Sequence, residues 1–153
     1  MNTIIDFLEK GNLGGIKIGQ DQNSVEEFLG PPEAIAYNKL FVTLKYGCLQ
    51  LTFYKVAGDN LEIHILKHIK IDFENNTHFP NAIKLTGWYP TSDTSYTDFI
   101  QETKKHGISI LEDKLHTFKN IQIGIKSDSG VVVIFDDENI ENKIVSMSLF
   151  NPC

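Results

Sequence analysis

The chain has 153 residues, 41% of them hydrophobic and 22% charged, enough apolar material for one domain with its own core. Its formal charge is −6 and all 14 basic residues are lysines; without arginine or a basic run it is poorly equipped for nucleic acid and better suited to a positively charged partner. No apolar run reaches the roughly 20 residues of a membrane helix, and acids stand near the N-terminus where a secretory leader is basic, so a cytoplasmic protein is expected.

Solubility and a lysine-rich codon usage would produce the same charge balance. Cys48 lies beside a turn and Cys153 is the last residue, so two free thiols are expected rather than a disulfide.

In chain order, residues 3–10 read as a short amphipathic helix. Ile4, Ile5 and Leu8, joined by Phe7, form its stripe, Thr3-Ile4-Ile5-Asp6 matches a capping box, and Gly11 ends it. Gly14, Gly15 and Gly19 follow, but they do not open a helix after a strand and no Lys-Ser/Thr pair closes them, so they are no phosphate loop. Asp21 can cap a second helix over residues 24–29, stopped by Gly30 and Pro31-Pro32.

Residues 40–73 alternate with a period of two. Leu40, Val42 and Leu44, then Leu49, Leu51 and Phe53, then Leu61, Ile63, Ile65, Ile69, Ile71 and Phe73 lie on one parity. That pattern predicts a three-strand antiparallel meander covering a core on one side, with reversals at Tyr46-Gly47 and Gly58-Asp59-Asn60. Residues 74–78 read as a polar turn, and 79–95, with Pro80, Gly87 and Pro90, as the joint between two halves.

The second half opens with the capping box Ser95-Tyr96-Thr97-Asp98. Tyr96, Phe99, Ile100 and Thr103 share a helix face, and Lys104 to Gly107 close it. Ile108 and Ile110 alternate as a strand, while 111–117 fits neither period. Ile121, Ile123 and Ile125 mark a strand, 127–130 a turn, 131–135 a buried strand, 136–142 an acidic turn and 144–150 a last strand. The expected fold is therefore α+β: antiparallel sheet meanders with short helices, in a single domain 1–153 with halves 1–78 and 96–153 joined by 79–95. Both halves run helix, lead-in, strand, turn, strand ending in Phe, turn, strand, which reads either as two diverged repeats or as chance recurrence of common pieces.

Chemistry-bearing constellations are few. His64, His68 and Asp72 are four apart, which places them with Glu62 and Lys70 on the polar face of one strand, about 13 Å from each other and too far apart for one ion. No Gly-x-Ser-x-Gly elbow is present, nothing pairs Cys48 with a histidine, and Glu26/Glu27 and Asp136/Asp137 sit where caps and turns place acids. No metal, cofactor or enzymatic activity is expected. The candidate partner-binding residues are Asp136, Asp137, Glu138 and Glu141, a negative patch on a turn, and the aromatic pair Trp88 and Tyr89. A solvated turn for the first group and core packing for Trp88 are the plainer readings.

Two stretches carry a resemblance. Ile16, Ile18-Gly19, Val25, Phe28-Leu29-Gly30 and Pro32, followed by Leu44-Lys45-Tyr46-Gly47, Leu49-Gln50-Leu51 and Phe53, resemble the immunity proteins of bacterial polymorphic toxins of the contact-dependent inhibition type. His106-Gly107-Ile108 and Ser129-Gly130-Val131 with Val133 and Phe135 are similar to the tails of such proteins. The helix-plus-sheet layout also resembles that of β-lactamase-inhibitor proteins. The resemblance implies a stoichiometric inhibitor without turnover, binding a cognate protein toxin, often a nuclease, in the cytoplasm. A non-catalytic adaptor or ligand-binding module of the same fold is the alternative.

Overall fold

A computed structural model describes residues 3–56, 62–74 and 78–151. Its centre is one eight-stranded antiparallel sheet made of two four-strand meanders. The first contains β1 (Ala34–Tyr37), β2 (Phe41–Tyr46), β3 (Leu49–Val56) and β4 (Ile63–Asp72), and the second β5 (Ile110–Glu112), β6 (Gln122–Ser127), β7 (Val132–Asp136) and β8 (Ile144–Phe150). The spatial order is β1-β2-β3-β4-β8-β7-β6-β5, so the last strands of the two meanders pair at the middle.

The halves correspond in detail. In the first, the register slips between Thr52 and Phe53, whose partners are His68 and Leu66, leaving Lys67 as the extra residue of a bulge. In the second it slips between Ile134 and Phe135, whose partners are Ser146 and Ile144, leaving Val145 extra. Each bulge thus lies on a fourth strand, opposite the step before a phenylalanine, and both Phe53 and Phe135 are fully buried.

Three helices, α1 (Thr3–Lys10), α2 (Gln22–Leu29) and α3 (Tyr96–Lys105), supply the other layer. All lie on the face that carries Leu44, Leu51, Phe53, Ile71, Val133, Phe135 and Met147, and burying this apolar parity is the main driving force for the fold. At the last turn of α1 the Ser129 hydroxyl, from the turn between β6 and β7, donates to the carbonyls of Leu8 (2.8 Å) and Phe7 (3.1 Å), the latter also accepting from the Gly11 amide at 2.8 Å. Asp21 caps α2 by accepting from the Ser24 amide at 2.9 Å, and the Tyr46 hydroxyl of β2 donates to the carbonyl of Gly30 just past its end at 2.8 Å. Ser95 caps α3, accepting from the Asp98 amide at 3.2 Å. Phe99 and Tyr96 meet the Phe135 ring edge-on, at 5.4 and 5.3 Å between centroids.

Several expectations change. Thr3 does not close a capping box on its own helix: its hydroxyl donates to the carbonyl of Lys84, and its amide to that of Thr86 at 3.2 Å, so part of the 79–95 stretch is packed on α1. Within residues 33–38, which the sequence marks only as leading into the meander, 34–37 form the edge strand β1, and Leu40 falls in the following turn. The single parity predicted along 61–73 breaks at Lys67, because one inserted residue exchanges the faces on either side of it. Leu66 therefore enters the core, whereas Ile65 stands opposite Tyr54 and Ile63 opposite Val56 on the other face. The predicted reversal at 58–60, and Leu61, lie outside the described residues.

Candidate binding face

With all three helices on one side, the opposite face of the sheet is open over most of its width. Parity places Phe41, Thr43, Thr52, Tyr54 and His68 of the first meander there, and Ser148, Phe150 and Val132 of the second. The register then brings the aromatic members together. Phe41 stacks on Tyr54 at 5.7 Å between centroids, Tyr54 lies 6.1 Å from Phe150, and the His68 ring meets Phe150 edge-on at 5.4 Å. This strip crosses β2, β3, β4 and β8, and Phe150 remains 49% exposed. Burial, and next the charge of Lys70, hold the His68 imidazole below its usual pKa, so it is neutral at pH 7.

One end of the strip opens into a groove of about 440 Å³ lined by Tyr54, His68, His116, Lys126, Val132 and Phe150, among others. His116 arrives from the 3-10 turn Lys114–His116, which folds over β6 at Gly124. Asp113, itself buried, caps that turn at the Leu115 amide and accepts from His116 Nδ1 at 2.6 Å. Thr117 fastens it from the other side: its hydroxyl accepts from the Gly124 amide at 3.0 Å and donates to the Asp113 carbonyl at 2.8 Å. Residues 111–117 fitted neither sequence period because this segment is a strand end followed by a tight turn seated on a sheet.

The sequence-derived candidates are divided among different places. Trp88 is half-buried and packs edge-on against Phe99 at 5.6 Å on the helical side, while Tyr89 is 44% exposed. The acidic turn is braced from within. Asp136 accepts from the Glu138 amide (2.8 Å) and from Asn139 Nδ2 (2.7 Å), and Asp137 accepts from Asn142 Nδ2 (3.1 Å). Glu141 pairs with Lys143 at 3.1 Å, and Lys143 also reaches Asp93 at 3.2 Å; these two carboxylates hold the exposed ammonium above its ordinary pKa. Glu138 is left exposed, beside Ile140 at the tip. This turn sits at one end of the β7–β8 hairpin and the groove at the other, about 13 Å away along β7 from Asp136 to Val132.

The histidine row is corrected by the bulge. His68 and Asp72 face the open side, but His64 pairs with Lys55 on the other side of Lys67 and points to the helical face, against Asp21 and Gln22. Among the described residues no group of three or more His, Cys, Asp and Glu is placed to hold a metal ion.

A smaller groove of about 220 Å³ brings Cys48, His78, Glu33 and Asp72 together, a gathering the sequence had not disclosed. The Cys48 amide donates to the His78 carbonyl at 3.0 Å, and the His78 Nε2 lies 3.1 Å from Glu33. The thiol is buried, and burial first, then the carboxylates of Asp72 and Glu33, push its pKa up to about 12. A nucleophilic cysteine needs the opposite setting, a positive neighbourhood that favours thiolate. At neutral pH this sulfur is a protonated, packed side chain.

These elements define an α+β protein with an open-faced antiparallel sheet. Comparison with family models, with curated proteins and with solved structures returned no match.

Proposed function

We propose that this chain is a non-catalytic binding protein that neutralises a cognate bacterial toxin one to one, as its resemblance to immunity proteins implies, and that it docks through the open face of the sheet. The observation that carries the reading is the asymmetry of the two faces. Three helices cover one side, while the other keeps Phe41, Tyr54 and Phe150 in a continuous strip reaching solvent. Rigid aromatic side chains on a flat sheet lose little entropy on binding and are common anchors of protein interfaces. The net charge of −6 favours a toxin whose own groove is basic because it acts on a polyanion, a nuclease in the simplest case. A ligand-binding module is the second reading, favoured by a groove of about 440 Å³, a size typical of small-molecule sites.

The test is a titration. The partner captured from the native cells is purified, its activity is assayed, and the chain is added in steps. Loss of activity ending at one equivalent, with a complex of that stoichiometry, is the expected result. Inactivation by a small fraction of an equivalent would mean turnover and sink the reading, as would a partner that binds and keeps full activity.

A further inference from the structure

The chain as a whole is acidic, yet one corner of it is not. The groove on the open face is continuous, at Lys126, Gly130 and Phe150, with a second groove of about 420 Å³ that runs round the end of the sheet to α1. The second is lined by Lys10, Lys17, Ile18 and Asn151 besides the shared residues. Among the described residues no carboxylate lines either groove, although acids outnumber lysines 20 to 14 in the chain. Among the described residues, Lys10, Lys17 and Lys126 enter no ion pair, while Lys55, Lys105 and Lys143 each do. Asp113 is buried behind His116 and bonded to it, and the exposed Glu9 and Asp128, next in sequence to Lys10 and Ser129, do not line either groove. Cations kept clear of their counter-ions around a partly aromatic floor fit an anionic guest with an apolar element.

We propose that this confluence receives a short acidic segment of the partner protein, its carboxylates set on Lys10, Lys17 and Lys126 and an apolar side chain between them laid on Phe150. The proposal rests on the reading of the chain as a protein-binding inhibitor, and it names the chemistry of the partner element. The open groove adjoins the aromatic strip of that docking face, so a segment projecting from a docked protein reaches it directly. A long polyanion would meet the field of an acidic molecule outside this corner, and a lysine set without arginine lacks the bidentate phosphate fork. The docking face is therefore polarised, with the acidic turn at one end of the β7–β8 hairpin and a basic basin at the other. Such an arrangement fixes the orientation of a partner as well as attracting it.

The probe is a heptapeptide with a central phenylalanine flanked by glutamates, titrated at low salt into the isotope-labelled full chain, with a glutamine-for-glutamate peptide as control. Expected are amide shift changes gathered at Lys10, Gly11, Lys17, Lys126, Phe150 and Asn151. A chain carrying both Lys17→Glu and Lys126→Glu should bind at least about fivefold more weakly, since each reversal turns an attraction into a repulsion at an exposed site. Equal binding of the glutamine peptide, shifts located elsewhere, no binding, or an unchanged Kd in the double variant would each overturn the proposal. If the double variant binds the captured partner with an unchanged Kd and still inhibits it, the basin is refuted while the inhibitor reading stands. A chain that binds the acidic peptide but no partner separates the two in the other direction.

Discussion

Replacing Gly124 by alanine isolates the contact that shapes the groove. Gly124 has no left-handed backbone to protect; its requirement is space. A Cβ at that position would stand 2.8 Å from the His116 Cβ, 2.9 Å from the His116 carbonyl oxygen and 3.0 Å from its carbonyl carbon. Two of those three atoms are backbone, so no rotamer change relieves the overlap. The 3-10 turn must lift, and two hydrogen bonds lie in the way: Asp113 amide to Gly124 carbonyl (2.9 Å) and Gly124 amide to Thr117 hydroxyl (3.0 Å). Overpacking of this kind costs about 1–3 kcal/mol, and each neutral hydrogen bond lost adds about 1 kcal/mol, less where water replaces it at this part-exposed site. A total near 2–3 kcal/mol is expected from urea unfolding of Gly124→Ala, with faster amide exchange at Asp113 and Gly124. If the variant unfolds within about 0.3 kcal/mol of the parent and exchange at those amides is unchanged, the steric account of the turn is wrong.

Four further outcomes follow from the packing and the charges. Phe135→Ala should cost about 3–5 kcal/mol in urea unfolding, because the ring is fully buried between Tyr96 and Phe99; a loss below 1 kcal/mol would show that the site collapses without it. In a Cys153→Ser background, Cys48 should resist alkylation at pH 8 until the chain is unfolded. Since folding raises its pKa from 9.0 to about 12, the unfolded state holds fewer protons above pH 9, so this group's contribution to stability is complete below that pH and is lost as pH rises towards 12. For His68 the sign is opposite: its folded pKa is lowered, so stability is lost as pH falls below 6.5, and NMR should place its titration below that value and find the acid sensitivity reduced in His68→Gln. Reversing Glu138 and Glu141 to lysine should slow association with a basic partner at low salt, and an unchanged on-rate would remove the acidic turn from the docking face.

How far the fold could be read in advance varies by element. The α3 boundaries followed from Ser95 at one end and the lysines at the other, and the strands over 121–125, 131–135 and 144–150 from uninterrupted alternation or apolar runs. The β4 strand resisted because its apolar parity was read through Lys67, although a lysine on that parity beside an apolar Leu66 on the other is the trace the bulge leaves in the sequence. The strip itself had a partial signal: Phe41 and Tyr54 sit on the parity opposite Val42 and Phe53, so their outward direction was readable. That they stack, and that Phe150 completes them, depends on pairing between strands far apart in sequence.

By itself the amino-acid order determined which residues alternate, where helices start, that the charge is negative and that arginine is absent, since these depend on neighbours a few bonds apart or on simple counting. Only the tertiary structure decided that β4 and β8 join the meanders, that one bulge turns His64 away from His68, and that Lys10, Lys17 and Lys126 line adjoining grooves with no carboxylate among their described lining residues. The physical reason is that register and long-range packing bring together side chains more than a hundred residues apart, and the charge of a surface patch is a sum over those meetings rather than over the chain.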